Sequence, residues 1–278
     1  VGSKKSDIPV YRQFIELVQK GFSALDAESR EEVKKFVQLC QHETGGFTNR
    51  TGSPDLYYSL FGVWLALALE LNETLENQKR FIAGNEGEEK GLVDSFALWL
   101  IRLVVFKHEF TKPSVFKLLN LTFFEGNKTS FFYRLFLFLL TFDAFYRNNT
   151  VHFFSRSALL FFSPSPDAPC SIMAATIVAR HTAGLNTEKE TERLLGYFEE
   201  NKGFKVFEET EEADLLSTAV SLFALKTAGA DLRLVKPACL TLIQQNYSNG
   251  AFLAGNGDEM RDLEYTFYGL LALGIIVG

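Results

Sequence analysis

Residues 249–274, NGAFLAGNGDEMRDLEYTFYGLLALG, carry the best copy of a unit that recurs along this chain. In each good copy a Gly-Phe turn is followed eight or ten residues later by an Asp: Gly46-Phe47 leads to Asp55, Gly203-Phe204 to Asp214, and Gly250-Ala251-Phe252 to Asp262. The Asp opens an apolar run, as a helix N-cap does. A hydroxyl residue follows four positions on and a small residue seven positions on. The series is Ser59 and Gly62 after Asp55, Ser171 and Ala174 after Asp167, Thr218 and Ser221 after Asp214, and Thr266 and Gly269 after Asp262. These offsets fall on one helix face, so the small residues are expected to let neighbouring inner helices approach closely.

The run behind Asp55, LYYSLFGVWLALALEL, is apolar nearly all round and predicts a helix buried on both sides. The segment before it, residues 27–42, places Val33, Phe36, Val37 and Cys40 on one face and charges on the other, as an outer helix does. The alternation continues. Polar segments at 75–82, 112–121, 150–161, 188–201 and 232–247 lead to apolar ones at 91–106, 129–146, 170–183, 214–227 and 262–276. The copies near Gly91 and Thr129 lack the small and hydroxyl pattern and are placed by hydropathy and spacing. Two helices in a period of roughly 36 to 48 residues define a helical repeat array. Residues 7–25, with Ile8, Tyr11, Phe14, Ile15, Val18 and Phe22 in helical spacing, form an extra helix outside the repeat. The opening VGSKKS, residues 1–6, reads as a scar of expression or processing, and residues 7–278 as one domain.

A formal charge of −6 with scattered charges gives a nucleic-acid partner no footprint. Phe131 to Tyr146 is interrupted by Arg134 and Asp143, and no transmembrane segment is expected. Cys40, Cys170 and Cys239 stand singly, which disfavours a disulfide framework and a local thiolate zinc site. The four histidines fall in different copies without HxH or HExxH spacing.

Six outer-inner helix pairs carrying Gly45-Gly46-Phe47, then Pro54-Asp55 and Tyr58-Ser59, resemble the α/α-toroid superfamily of protein prenyltransferase β subunits and squalene and terpene cyclases. The resemblance covers residues 27–278 and is most specific at 45–69, 202–227 and 249–274. It implies an all-α (α/α)6 toroid, six inner helices ringed by six outer ones, around a cavity where an isoprenoid chain lies against aromatic side chains. The ten Phe between Phe131 and Phe162 suit such a lining, and they equally suit a plain core. Asp55, Tyr58, Asp167 and Cys170 are the candidate ligand-binding residues.

The catalytic half of the family pattern is missing. The family's zinc needs an Asp and a Cys two positions on in the fifth copy, and a His three positions after the Asp of the sixth. This chain has Asp214, Leu216 and Tyr265, so neither metal nor cofactor is expected. Basic residues for a diphosphate are replaced by Glu208, Glu211 and Asp167. These repel phosphate, and the stretch FEETEEAD reads as a solvated acidic loop. The cyclase acid motif survives as Asp262 with Glu264 in its second place and is lost at Tyr265. A CGEQ thioester sequence is absent. Asp94 and Asp143, inside apolar helices, are expected to be partly exposed or paired with Arg102 or Arg134, and His181 to meet the C-terminal end of its helix as a charge.

Two functions remain. One is a binding module for an apolar, isoprenoid-like small molecule or for a protein partner, since the β subunits of the family pair with an α subunit. The other is a divergent cyclase- or prenyltransferase-like enzyme using Asp214, Asp262, Glu264 or Tyr265. The enzyme requires an aromatic-lined cavity of several hundred Å3, with Asp55, Asp167, Asp214 or Asp262 pointing into it.

Overall fold

The apolar runs are helices in the computed structural model of the chain, which describes residues 8–84, 91–106, 111–124, 131–146, 156–157, 159–160 and 163–278. Most of the described chain is helical, so the protein is an all-α helical repeat protein. The helices are α1 (Val10–Ala24), α2 (Ala27–Leu39), α3 (Leu56–Ala68), α4 (Asn72–Gly84), α5 (Leu92–Val105), α6 (Val115–Phe123) and α7 (Phe131–Tyr146). After a stretch that falls largely outside the described residues and holds most of the polar segment 150–161, there follow α8 (Cys170–Thr182), α9 (Glu188–Leu195), α10 (Leu215–Ala228), α11 (Lys236–Gln245) and α12 (Leu263–Val277).

Packing follows the hydropathy of each segment. The apolar helices touch in the order α3, α5, α7, α8, α10, α12, and α12 returns to α3. The polar helices lie against their flanks: α4 on α3 and α5, α6 on α7, α9 on α8 and α10, α11 on α10 and α12, and α2 on α3. In α3, ten of thirteen residues are buried, whereas α2 buries only Val33 and Val37. Burial on all sides is what a helix flanked by neighbours on every face requires.

Three Asp residues cap inner helices as the sequence predicts. Asp55 accepts the Tyr58 amide at 2.7 Å, Asp214 that of Ser217 at 2.5 Å and Asp262 that of Tyr265 at 2.9 Å. Asp167 does not. It is exposed in a turn three residues before α8, which starts behind Pro169 without a side-chain cap. The Cys170 amide at its start donates instead to the Val206 carbonyl oxygen at 2.8 Å.

The hydroxyl and small positions of three copies have a further purpose besides the one expected. Three of the four hydroxyls accept the backbone N–H of their own copy's Phe: Ser59 from Phe47 at 2.9 Å, Thr218 from Phe204 at 3.0 Å and Thr266 from Phe252 at 3.3 Å. The small residue three positions on makes room for that Phe ring. A Cβ on Gly62 would come within 2.3 Å of the Phe47 ring, and one on Gly269 within 2.4 Å of Phe252. At Gly62 and Gly269 the pattern therefore fastens the Gly-Phe turn onto the first two turns of its helix, whereas Ser221 meets the neighbouring inner helix, with its Oγ 2.9 Å from Cys170 Sγ of α8. Replacing Thr218 with Val leaves the buried Phe204 amide without its acceptor and is expected to cost about 1–3 kcal/mol in denaturant unfolding. Thr241→Val, whose hydroxyl is exposed and bonds only within its own helix, should stay within about 0.5 kcal/mol.

Small antiparallel ladders precede two of these turns and break the purely helical expectation. β1 (Phe198–Glu199) pairs with β2 (Gly203–Phe204), and β3 (Tyr247–Ser248) with β4 (Ala251–Phe252). Asn201 and Asn249 turn these hairpins at positive φ, 70° and 46°, a conformation Asn tolerates better than most residues. The segment expected as helix to residue 201 accordingly ends at Leu195.

α1 is more than an added layer. It packs along α12 and also touches α3 and α7. Its first amide, on Val10, has no local cap and donates to Asp143 Oδ2 of α7 at 2.9 Å, so Asp143, buried to 3% exposure, acts as the cap of a helix far away in sequence. Phe14 reaches the rings of Phe223 in α10 (4.6 Å), Trp64 in α3 (5.8 Å) and Phe267 in α12 (6.0 Å). Further along, a Cβ on Gly21 would meet the Leu270 carbonyl oxygen at 2.0 Å, and one on Gly274 would meet that of Leu17 at 1.8 Å. The two helices run in the same direction at near backbone contact.

Candidate functional site

Where the inner helices converge they leave a cavity of about 200 Å3 whose wall includes residues of α3, α5, α7, α8, α10 and α12, with Phe14 of α1. The wall is almost wholly apolar. Its rings include Tyr57, Phe61 and Trp64 of α3, Phe223 of α10, and Phe267 and Tyr268 of α12. Phe136 is the one of the ten Phe between residues 131 and 162 that lines it among the described side chains, while Phe138, Phe142 and Phe145 pack into a separate core cluster around α5 to α7. Phe153, Phe154, Phe161, Phe162 and the side chains of Phe131 and Phe132 lie outside the described residues.

Among the described residues one carboxylate stands in this wall, Glu264 in the first turn of α12. The Tyr57 hydroxyl donates to its Oε1 at 2.6 Å. The apolar surroundings push the Glu264 carboxyl up to about 7; the Tyr57 bond and Arg50 oppose the rise, and the charges of Asp262 and Asp55 reinforce it. At neutral pH the group is therefore close to half ionised.

Next to it lies a polar layer that closes the first copy of the repeat onto the last. Arg50, from the turn between Phe47 and Asp55, places Nε 2.6 Å from Asp262 and Nη1 2.5 Å from Asp258. Its guanidinium lies 5.5 Å over the ring of Tyr265. Burial, with the Asp262 charge, raises the Tyr58 phenol to about 12, and burial, with the Asp214 charge, does the same for Tyr265. Both phenols stay protonated at neutral pH. Burial also lifts the Asp214 carboxyl, against the pull of Ser217.

Of the sequence candidates, Asp55, Tyr58, Asp214, Asp262, Glu264 and Tyr265 come together at this end of the bundle, and Glu264 alone lines the cavity. Asp55, Asp214 and Asp262 are engaged in capping, so the condition set for an enzyme with a capping Asp in the cavity is not met. Asp167 is exposed and apart. Cys170 is fully buried behind the wall with Sγ 2.9 Å from Ser221 Oγ, and its neighbour Ser171 lines the cavity instead. Burial raises each of the three thiols to about 12, which leaves no thiolate nucleophile. Asp94 falls in the first turn of α5, partly buried. His181 is in the last turn of α8, yet burial lowers its pKa, and the neutral ring is favoured where a charge was expected.

Among the described residues no group of three or more His, Cys, Asp and Glu is placed to hold a metal ion. The stretch from Glu208 to Glu212 is exposed, as a solvated acidic loop should be. Sequence reasoning missed Arg50 and Tyr57. The signal for Arg50 was present as a lone cation in the first copy's turn, opposite Asp258 and Asp262 in the last copy's. No helix among the described residues is long and apolar enough to cross a membrane. No protein-family model matches the chain, and no curated protein shows significant similarity to it.

Proposed function

We propose that the chain is an (α/α)6 toroid, similar in architecture to the prenyltransferase and terpene cyclase superfamily, that binds an apolar small molecule in its central cavity. The single observation that carries this is the cavity itself, with an aromatic and aliphatic wall supplied by all six inner helices. The closed order of helix contacts, the outer helices on the flanks and the capped inner helices support the toroid.

Size limits the ligand. An apolar cavity of about 150 Å3 holds benzene, so 200 Å3 takes roughly eight to ten carbon atoms. A longer isoprenoid chain does not fit while Phe14 stands in the wall. The carboxylates grouped near Glu264 oppose a diphosphate head, so we favour binding over prenyl transfer. The observation favouring the catalytic alternative is Glu264, an acid that is half protonated at neutral pH in an apolar wall.

Binding of 1-octanol, followed by titration calorimetry, tests the proposal. Micromolar to millimolar affinity is expected, with stabilisation that grows as the logarithm of ligand concentration. Ala97→Phe, which places a ring in the space beside α5, should abolish binding at a folding cost of about 1–3 kcal/mol. A wild-type protein that binds no octanol, or an Ala97→Phe protein that binds it equally well, would overturn the assignment.

A further inference from the structure

The cavity wall is largely apolar, and among its described residues one carboxylate stands beside aromatic rings. Glu264 receives a hydrogen bond at Oε1 from Tyr57, while its other oxygen has no hydrogen-bond partner among the described residues. Beside this pair the Phe61 ring lies 5.1 Å from Tyr57, 5.3 Å from Phe267 and 5.7 Å from Tyr268, and all four rings line the cavity. A carboxylate beside aromatic rings attracts an organic cation through its charge, and a ring whose face the cation reaches adds its quadrupole.

The surrounding charges have the same sign. Asp55, Asp258, Asp262 and Glu264 stand against Arg50, whose guanidinium is already held by Asp258 and Asp262. An anionic ligand head would meet carboxylates whose neighbouring cation among the described residues, Arg50, is already engaged. A neutral head would leave half-buried Glu264, when ionised, with only the already engaged Arg50 as a nearby counter-charge.

We infer that the cavity selects an alkylamine, with the hydrocarbon body among the rings and the ammonium group on Glu264. This names the ligand class of the apolar-ligand function proposed above and rests on it. An ammonium ion offsets the cost that raises the carboxyl to about 7. The groups that set that titration are Tyr57 and Asp55 on the first copy's side, Arg50 in its turn, and Asp262 on Glu264's own copy. Ionised Glu264 is the binding form and a primary alkylamine stays protonated, so affinity should rise with pH through about 7 and level off above it.

Titration calorimetry of octylamine and 1-octanol, equal in chain length, separates the two ideas. On the wild-type protein at pH 8, octylamine should bind at least about tenfold tighter than 1-octanol, and its affinity should fall about tenfold between pH 8 and pH 6. Glu264→Gln should remove the amine preference and its pH dependence, while 1-octanol binds within about twofold of wild type. Tyr57→Phe should keep the preference and move its midpoint to higher pH, because the hydrogen bond that favours the ionised form is gone. If 1-octanol binds wild type with no disadvantage to octylamine, or if Glu264→Gln retains the preference, the amine assignment falls and the apolar-ligand function stands. If neither probe binds wild type, both fall.

Discussion

Replacing Gly274 with Ala is expected to destabilise the protein by about 3 kcal/mol or more, among the largest effects of any single methyl group in this chain. The added carbon would sit 1.8 Å from the Leu17 carbonyl oxygen and 2.9 Å from the Gly21 amide nitrogen, both backbone atoms of α1. A side chain could rotate away from such a contact, but a helix backbone can only move as a body. Moving α1 off α12 would withdraw Val18, which is fully buried, and would lengthen the Asp143 contact that caps Val10. Guanidinium unfolding measures the loss, and cleavage within residues 8–24 under native conditions shows whether α1 has been released. Gly84→Ala is the control. Nothing lies within 4 Å of its added carbon, so a change of no more than about 1 kcal/mol is expected. A Gly274→Ala protein as stable as wild type would mean that α1 and α12 do not meet as described.

The same contact shows what sequence could and could not convey. Helix positions were legible because burial on every side writes an unbroken apolar run, as in LYYSLFGVWLALA, and an Asp marks where it starts. The hairpins were not. Two-residue ladders leave no alternation to read, and their turning residues, Asn201 and Asn249, look like any polar loop. Amphipathic spacing announced that α1 buries a face, yet periodicity names no partner, and the groups that fix α1 come from Asp143, Trp64, Phe223 and Gly274. In the candidate site, Glu264 was visible as an altered acid motif, because the motif is local. Its partner Tyr57 lies 207 positions away, and only the closure of the helices brings them together. The small residues were visible too, but their partner, a Phe in the preceding turn, was hidden because hydropathy does not distinguish a slot for a ring from a seam between helices.

Truncating Phe14 to Ala should alter both stability and ligand size, and in opposite senses for the two measurements. The ring is 8% exposed and is wedged between Phe223, Trp64 and Phe267. Its loss is expected to cost about 3–5 kcal/mol, the usual range for emptying a buried aromatic site. Because Phe14 also forms part of the cavity wall, the vacated space opens into the existing 200 Å3. Among linear alcohols the best-bound chain should then lengthen by several carbons beyond the roughly eight to ten that fit the wild type. A long alcohol at about a hundred times its dissociation constant should also restore about 2.7 kcal/mol of the lost stability, a rescue the wild-type protein shows only with shorter chains. Phe138→Ala supplies the comparison. That residue is also buried, at 2% exposure, but belongs to the other core cluster, so it should lose similar stability without any change in preferred chain length. If Phe14→Ala binds the same chain length as wild type, the space it leaves has collapsed or never joined the cavity, and α1 does not set the depth of the site. If instead the longer chains bind, the extra N-terminal helix is the element that measures the ligand, and the apolar helices around the cavity supply only its walls.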